Sequence, residues 1–408
     1  MTPSSVRADV IVVGAGPAGS AAAILLAERG WAVTLLDKAA FPRPKICGEY
    51  LSPETARVLD RLGVLKAVDA AGAQPLHGMR ITAPDGTVLE GTYPTSGPWR
   101  GYRDHALAIR REALDRILVE RARSLPVEVR ERHRVTGLIV EGGAAVGVKA
   151  EDAGGAPLEI RSRLVVGADG RASVVAHALG LVRPHRLQRL ALIRHVSGIA
   201  GLGDRGEIYV DPPDYSILNP VAPGIVNLSL VVPLGHAKPY SGRLETFFEA
   251  RLKQLRHVLP RLRGMRAEGP LMVMGPLAYR VGEPRVSGVL LAGDAAGFYD
   301  PFTGEGLYTA LRSAELLAEV AHPALFTGDV SARALAPYAQ ARHAAFAGKA
   351  RVTQALQLII AHRRLANIAA RFLHHRPALL SALMGVIGDF VPPRQLWGQV
   401  LNYDIPAD

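Results

Sequence analysis

Residues 9–37 leave few ways for this chain to begin folding. An apolar run at 9–13 leads directly into Gly14-Ala15-Gly16-Pro17-Ala18-Gly19, and residues 20–29 (SAAAILLAER) read as an Ala/Leu helix closed by Gly30. A second apolar run, 32–36, ends on Asp37. Strand, glycine turn, helix, strand and terminal acid are the parts of a dinucleotide-binding βαβ unit. The glycines divide the work between a tight turn, close approach of backbone to a pyrophosphate, and packing of helix on strand. The helix start offers unpaired N–H groups and the positive end of its dipole, both suited to an anion. Asp37 is placed to accept hydrogen bonds from ribose hydroxyls. A bare glycine turn would need that acid by accident. The pattern does not choose between FAD and NAD.

Two later stretches repeat the logic of strand, acid and glycine. Residues 164–173 (LVVGADGRAS) carry Asp169 and Gly170 after a buried run. Residues 287–311 (SGVLLAGDAAGFYDPFTGEGLYTAL) carry Gly293 and Asp294, then Pro301, Gly304 and Gly306 at the entry to a helical pattern that begins near Leu307. Either alone is a moderately specific signal, because Gly and Asp also serve ordinary turns. Three such units in one chain make chance a poor explanation.

The segment 293–306, GDAAGFYDPFTGEG, resembles the second flavin-contacting segment of the FAD-dependent oxidoreductase superfamily of group A aromatic monooxygenases and geranylgeranyl reductases. The resemblance covers residues 8–311 and implies roles residue by residue. Asp294, beside Gly293, would hold the ribityl chain, and Pro301, Gly304, Gly306 and Leu307 would lie along the isoalloxazine ring. Gly14, Gly16, Pro17, Ala18 and Gly19 would cradle the pyrophosphate, with Asp37 and Lys38 at the adenosine end. FPRPKICGE (41–49) is similar to the PRxKxCGE segment of geranylgeranyl-reductase-like flavoproteins. It puts Arg43 and Lys45 where they neutralise phosphate or reduced flavin, and Cys47 and Gly48 near the ring. A small buried packing residue is the alternative role for Cys47. Arg111, rather than Arg110, matches the family's FAD-contacting arginine, against the plain reading of a surface arginine. Val135 matches the position that touches adenine, and Asp169 and Gly170 would serve FAD and a passing NAD(P)H. The cofactor expectation is therefore non-covalent FAD, with NAD(P)H as transient reductant.

Composition narrows the class. With 408 residues the chain can bury a large core in more than one domain. A net charge of +11 suits anionic partners, or simply a basic solvated surface. No basic run is interleaved with aromatics, so nucleic acid is not expected. The single cysteine, Cys47, rules out an internal disulfide and suits a reducing cytoplasm. The amino-terminal residues show no signal-peptide pattern, and no apolar run approaches the roughly 18 residues of a spanning helix. No His, Asp or Glu grouping has metal-ligand spacing, so no metal is expected.

The rest of the chain supplies a substrate wall. Residues 51–65 read as a helix capped by Ser52 with Pro53 at its first position. Asp85-Gly86 marks a hairpin, 110–123 a helix, and 127–140 and 144–150 strands. Residues 190–233 are strand-rich, the pattern of an antiparallel sheet over the cofactor. The second GxGxxG, 201–206, lacks a strand–helix context and reads as a hairpin turn, and His195 reads as a satisfied packing histidine rather than a catalyst. Helical patterns follow at 244–262, 313–321, 330–347, 352–373 and 378–386. In the long one Leu358, Leu365, Ile368 and Phe372 share a side that packs on the body, a membrane-surface role being the alternative. The fold class expected is α/β: a Rossmann-type FAD-binding domain (1–80, 106–185, 276–325) interleaved with an antiparallel-sheet substrate domain (81–105, 186–275), plus C-terminal helices (326–408).

Function rests on 212–220, PPDYSILNP. Prenyl reductases of the resembling superfamily carry PxxYxWxFP there; this chain keeps Pro212, Tyr215 and Pro220 but has Ile217 and Asn219. The WxWxIP of flavin halogenases is absent, the only tryptophans being Trp31, Trp99 and Trp397. The leading expectation is hydroxylation of an aromatic or polyketide-like compound with NAD(P)H and O2, with Tyr215, Asn219 and Phe302 in the substrate pocket. Flavin reduction of isoprenoid double bonds is the alternative, and a non-enzymatic flavoprotein comes third. No catalytic acid or base is identifiable.

Overall fold

In the computed structural model, which describes residues 7–95 and 98–396, strand Arg7–Val13 occupies the middle of a seven-stranded sheet. It pairs in parallel with Val33–Leu36 on one side and Pro157–Gly167 on the other, and Val127–Arg130 extends the sheet beyond Val33–Leu36. Strand Pro157–Gly167 is shared. Its start pairs antiparallel with Ala144–Glu151, while residues 165–167 pair in parallel with Val289–Leu291. The central strands are buried on both faces, as a parallel sheet covered by helices requires. Helix Pro17–Ala27 is buried along its whole length, and helix Gly306–Thr327 packs beside it. The expected helix start at residue 20 is corrected to Pro17, whose missing N–H and fixed φ suit a first position.

All four parallel strands that precede an acid or glycine turn end at one edge. Asp37 follows Leu36, Gly14 follows Val13, Ala168-Asp169 follow Gly167, and Ala292-Gly293 follow Leu291. In open α/β sheets this carboxyl edge is where ligands bind.

The second sheet has eight strands. Along it lie Arg266–Ala267, Arg189–Ser197, Ile225–Pro233, Asp214–Ala222, Arg205–Asp211, Gly78–Thr82 and Val88–Thr92, with Met272–Met274 also on Arg189–Ser197. The Asp85-Gly86 hairpin pairs Gly78–Thr82 with Val88–Thr92 and joins this sheet through a parallel pairing to Arg205–Asp211. Segment 201–206 is not a hairpin turn: Arg189–Ser197 and Arg205–Asp211 are separated by two strands, so the glycines serve a crossing connection. One face of the sheet buries Leu190, Leu192, Leu228 and Leu230 against Phe247, Phe248 and Leu252 of helix Leu244–Gln254. The opposite face buries Ile193, Ile208, Tyr215 and Ile217 against Leu277, Phe302 and Ile360. Alternation along the strands thus builds two cores, one of them toward the cofactor edge.

Several boundaries differ from expectation. The helix read over 51–65 is two shorter ones, Thr55–Arg61 and Leu65–Ala70, broken at left-handed Gly63 (φ 73°). Ser52 caps nothing; its hydroxyl bonds Thr55 Oγ1 at 2.8 Å, and Pro53 lies outside the helix. The strand read over 127–140 is split between the two halves of the first sheet, as Val127–Arg130 and Arg134–Glu141. Helix Leu244–Gln254 stops early, and residues 259–262 form a separate turn of 3-10 helix. The carboxyl region is helix Pro337–Ile360, helix Arg363–His374 and helix Pro377–Ile387, so the break falls at 361–362 rather than at 348–351. Residues 397–408 of the expected helical region lie outside the described residues. Among the described residues no helix is long and apolar enough to cross a membrane.

The buried ammonium of Lys349 ties these helices down, donating to the Ile387 carbonyl at 2.9 Å and to Asp389 Oδ1 at 2.6 Å. Removing one member of such a pair leaves a buried charge uncompensated, at a cost of about 3–5 kcal/mol. Lys349→Ala is therefore expected to lower unfolding stability by roughly that amount in urea titrations, and Lys349→Arg by less; equal midpoints for Lys349→Ala and wild type would contradict it.

Candidate cofactor site

Three turns meet at the carboxyl edge of the first sheet, and their glycines explain how. Gly14 has φ 98°, and a β carbon built on it would lie 2.5 Å from the Ala168 carbonyl oxygen and 2.7 Å from Asp169 Cα. Gly293 has φ 58°, and a β carbon there would come within 2.9 Å of Ala18 Cβ. Only residues without side chains bring these segments so close. Gly16 differs. Its backbone is extended (φ −73°, ψ −176°), and a β carbon there meets nothing nearer than Arg43 Nη2 at 3.8 Å. The first-turn N–H groups of helix Pro17–Ala27 face that open space without a side-chain cap, over a bed of Pro17, Ala18 and Gly19.

Around this space the polar groups are arranged in a charge network. Asp37 accepts from Ala15 N at 2.8 Å and Ala39 N at 2.9 Å, while Lys38 is exposed. Arg43 lies 3.5 Å from Asp37 and donates to Asp115 at 3.2 Å. Arg111 grips Asp115 with two bonds of 2.8 and 2.9 Å, and Asp115 is wholly buried. The structure thus rejects the surface-arginine reading of Arg111, which is 7% exposed; Arg110 is the residue before the helix. Lys45 approaches Gly170, where a β carbon would lie 3.9 Å from Nζ. Burial, with Arg111 and Arg43 nearby, lowers the pKa of the Lys45 ammonium. Burial raises that of Asp294, against the pull of Lys45, Arg111 and Arg171. Asp169 Oδ2 accepts from Val174 N at 2.7 Å, but its buried Oδ1 has no partner. Val135 is a buried core residue of strand Arg134–Glu141.

FAD fits these residues. An unpartnered buried carboxylate oxygen, uncapped helix N–H groups, open space at Gly16 and Gly48, and three cations are what a dinucleotide with two phosphates needs. The far end fits a ring. Gly304 (φ 65°) would press a β carbon to 2.5 Å from the Tyr50 ring, and the loop from Pro301 to Gly306 starts helix Gly306–Thr327 with no side-chain cap on the N–H groups around Leu307.

Residues outside the sequence reading complete the site. Glu49 is 2% exposed and sits in the left-handed region at φ 59°, unusual for a residue with a side chain. Its carboxylate accepts from Arg111 N at 2.9 Å and Asn227 Nδ2 at 3.0 Å, and lies 2.7 Å from His195 Nε2. His195, read as a satisfied packing histidine, is buried and has its partner in the Glu49 carboxylate, within a polar cluster. Asn227 also donates to the Cys47 carbonyl, 2.8 Å. Glu49 was the last residue of the 41–49 motif, and its acid in a buried segment was the available signal. Asp115, four residues after Arg111 on a helix, signalled itself by spacing.

The three expected pocket residues are placed unequally. Phe302 packs edge-on to Tyr215 with ring centroids 5.1 Å apart. Tyr215 is fully buried and donates to Asp300 Oδ1 at 2.9 Å. Asn219 donates to the Gly48 carbonyl at 3.0 Å. Asp300 also accepts from Gln357 and Phe302 N, yet burial outweighs those bonds and pushes its pKa up to about 6. Burial pushes Glu305 up to about 7. Burial also raises the Cys47 thiol, which keeps it protonated at neutral pH. Away from this site, tertiary contacts gather His77, Asp104 and His105 with ligand atoms within 4.8 Å, a group that could hold a metal ion and that sequence spacing did not reveal.

The family model described as FAD binding domain matches residues 7–353. A digeranylgeranylglycerophospholipid reductase from Methanosarcina acetivorans is 32% identical over 340 residues, 79% of this chain and 77% of that one. Among solved structures, the flavin-dependent brominase Bmp2 superposes with a TM-score of 0.82 at 20% identity, covering 98% of this chain and 99% of that one. A geranylgeranyl bacteriochlorophyll reductase-like protein from Thermoplasma acidophilum gives 0.75 at 22% identity, with 98% and 97% covered. At these identities the two structures establish the fold alone.

Two outcomes follow from the site. Gly16→Val places its side chain in space that the protein's own atoms leave open. It is expected to fold with a normal circular dichroism spectrum while weakening FAD by roughly 100-fold or more, about 2.7 kcal/mol; titration of the apoprotein with FAD checks this, and unchanged affinity would refute the placement. The second concerns pH. Glu305 titrates near 4.5 when unfolded and about 7 when folded, so between those values the folded state holds a proton the unfolded state lacks. Stability of the apoprotein is therefore complete below pH 4.5 in this contribution and is lost as pH rises through 7. Glu305→Gln should flatten the decline of melting temperature between pH 5 and 7.5 by a few degrees, roughly; parallel curves would exclude Glu305 as the titrating group.

Proposed function

The chain belongs to the FAD-binding-domain family, within the flavoprotein superfamily of aromatic monooxygenases and geranylgeranyl reductases, and from that premise we propose that it reduces carbon–carbon double bonds in an isoprenoid lipid. It is an FAD-dependent oxidoreductase, and the proposal concerns its substrate and reaction. The observation that carries it is the apolar wall before the flavin loop. Ile46, Ile193, Ile217, Leu277, Phe298, Phe302 and Ile360 form one cluster there.

Asn219 favours neither reading by itself: its amide nitrogen donates to the Gly48 carbonyl, while its buried Oδ1 has no partner among the described residues and is left to accept from a hydroxyl. Ile217 keeps the wall apolar where the reductase motif has tryptophan. The similarity to archaeal lipid reductases over four-fifths of the chain points the same way.

When bound, FAD supplies hydride chemistry. The protein's own part is fourfold. Gly14–Gly19, Arg43, Lys45 and Arg111 hold the phosphates and any negative charge of the reduced ring; Asp37, Asp169 and Asp294 hold hydroxyls. The apolar cluster excludes water and accepts a hydrocarbon chain. The Glu49–His195–Asn227 cluster anchors segment 41–49, fixing the Cys47 main chain. Saturating an alkene takes a hydride and a proton, and the neutral Cys47 thiol of that segment is the group suited to hold the proton. NAD(P)H is the reductant proposed for the flavin.

The decisive measurement offers digeranylgeranyl lipid and a panel of phenols to the reduced, FAD-loaded protein, with and without air under 18O2. Saturated lipid, heavier by two hydrogens per double bond and formed equally well without air, is the expected product. A product carrying labelled oxygen would replace this reading with hydroxylation.

A further inference from the structure

The side expected to pack on the body does not. Leu358, Leu365, Ile368 and Phe372 are 68%, 47%, 63% and 42% exposed. On helix Arg363–His374 the last three fall at i, i+3 and i+7 and form one stripe, while Ala366 and Ala370 are buried on the adjoining side. Three large apolar side chains on one exposed stripe, with exposed Leu358 near the end of the preceding helix, are more than scattered surface residues account for.

Charge says what that face meets. From residue 330 to 388 there is no Asp or Glu, against eight Lys and Arg, of which Arg342, Lys349, Arg363 and Arg371 pair with acids from outside that stretch. Arg364, beside the stripe, is exposed and has no ion pair among the described residues. The Arg376 guanidinium stacks 3.7 Å over the Phe372 ring, a cation at the edge of the apolar surface. Across the Pro84–Gly86 turn, whose Pro84 carbonyl receives bonds from both His257 and Arg363, a hollow is lined by Arg256, Leu259 and Arg263. Arg256, Leu259 and Arg263 are exposed as well. An apolar stripe bordered by arginines, on a helix too short and polar to span, is the pattern of an element lying in a membrane interface.

We propose that helix Arg363–His374, with Leu358, docks this protein on an anionic lipid bilayer. Ala366 and Ile360 beneath it belong to the apolar cluster that contains Phe302 and Ile217, so docking sets the bilayer against the outer wall of that cluster. The inference does not depend on the reductase reading, since lipid binding is measured without turnover.

The experiment is sedimentation of the full-length, FAD-loaded protein with vesicles of phosphatidylglycerol and phosphatidylcholine mixed, or of phosphatidylcholine alone. Wild type should pellet with the anionic vesicles at 0.1 M salt, roughly tenfold more than with neutral ones. Ile368→Glu with Phe372→Glu should cut that binding at least tenfold while flavin absorbance and melting temperature stay unchanged, and Arg364→Glu should reduce it on anionic vesicles only. Wild type left in the supernatant, or a double variant that pellets as well as wild type, would overturn the proposal. So would light scattering that shows a wild-type dimer dissolved by the same double substitution, which would assign the face to a second copy of the chain.

Discussion

Glu49 is the contact on which the two halves of this protein depend. Its carboxylate bonds the Arg111 main chain on the nucleotide side and His195 and Asn227 on the substrate sheet, all within 3.0 Å. A buried carboxylate is tolerated only when its oxygens are satisfied, so each of those partners is held where Glu49 needs it. The left-handed backbone at φ 59° turns the chain there and aims the side chain inward. Segment 41–49, with Arg43, Lys45 and Cys47, is thereby fixed between the sheets.

Electrostatics complete what Glu49 begins. Arg43 and Arg111 converge beside Lys45, a placement that would repel without Asp115 between them. Because Asp115 is wholly buried and doubly bonded, it holds the arginines in position before any phosphate arrives. Of the remaining acids, Asp169 keeps a buried oxygen without a partner among the described residues, and Asp294 is buried near Lys45 and Arg111. That is the arrangement of a site built for hydroxyl-bearing, doubly anionic ligands rather than of a structural ion-pair network.

The substrate side mixes engaged and unengaged polar groups. Tyr215 gives its hydroxyl to Asp300 and Asn219 an amide N–H to the Gly48 carbonyl, while Asn219 Oδ1 and Asp300 Oδ2 stay buried without a partner among the described residues. Beside them Ile217, Leu277, Phe302 and Ile360 pack into one apolar cluster. The same helical corner that roofs this wall carries the exposed stripe of Leu365, Ile368 and Phe372, which joins the inner and outer apolar surfaces within one turn of chain.

By itself the sequence determined the parts that follow from local backbone chemistry. Gly14, Gly16 and Gly19 between strand and helix, the Asp85-Gly86 hairpin, and the acids after buried runs were legible because glycine's lack of a side chain, its tolerance of positive φ at Gly14 and Gly86, and the alternation of apolar residues act over a few positions. The Asp115–Arg111 pair, four residues apart on a helix, was open to the same reasoning. Only the tertiary structure decided the rest. His195 lies 146 residues from Glu49, and nothing in its apolar neighbours named the carboxylate that satisfies its ring. The helix at 363–374 has the amphipathic period that a body-packed helix also has; which of its sides meets protein depends on where the chain turns at 361–362. Periodicity records that a residue is apolar, whereas burial depends on which surfaces the topology brings together.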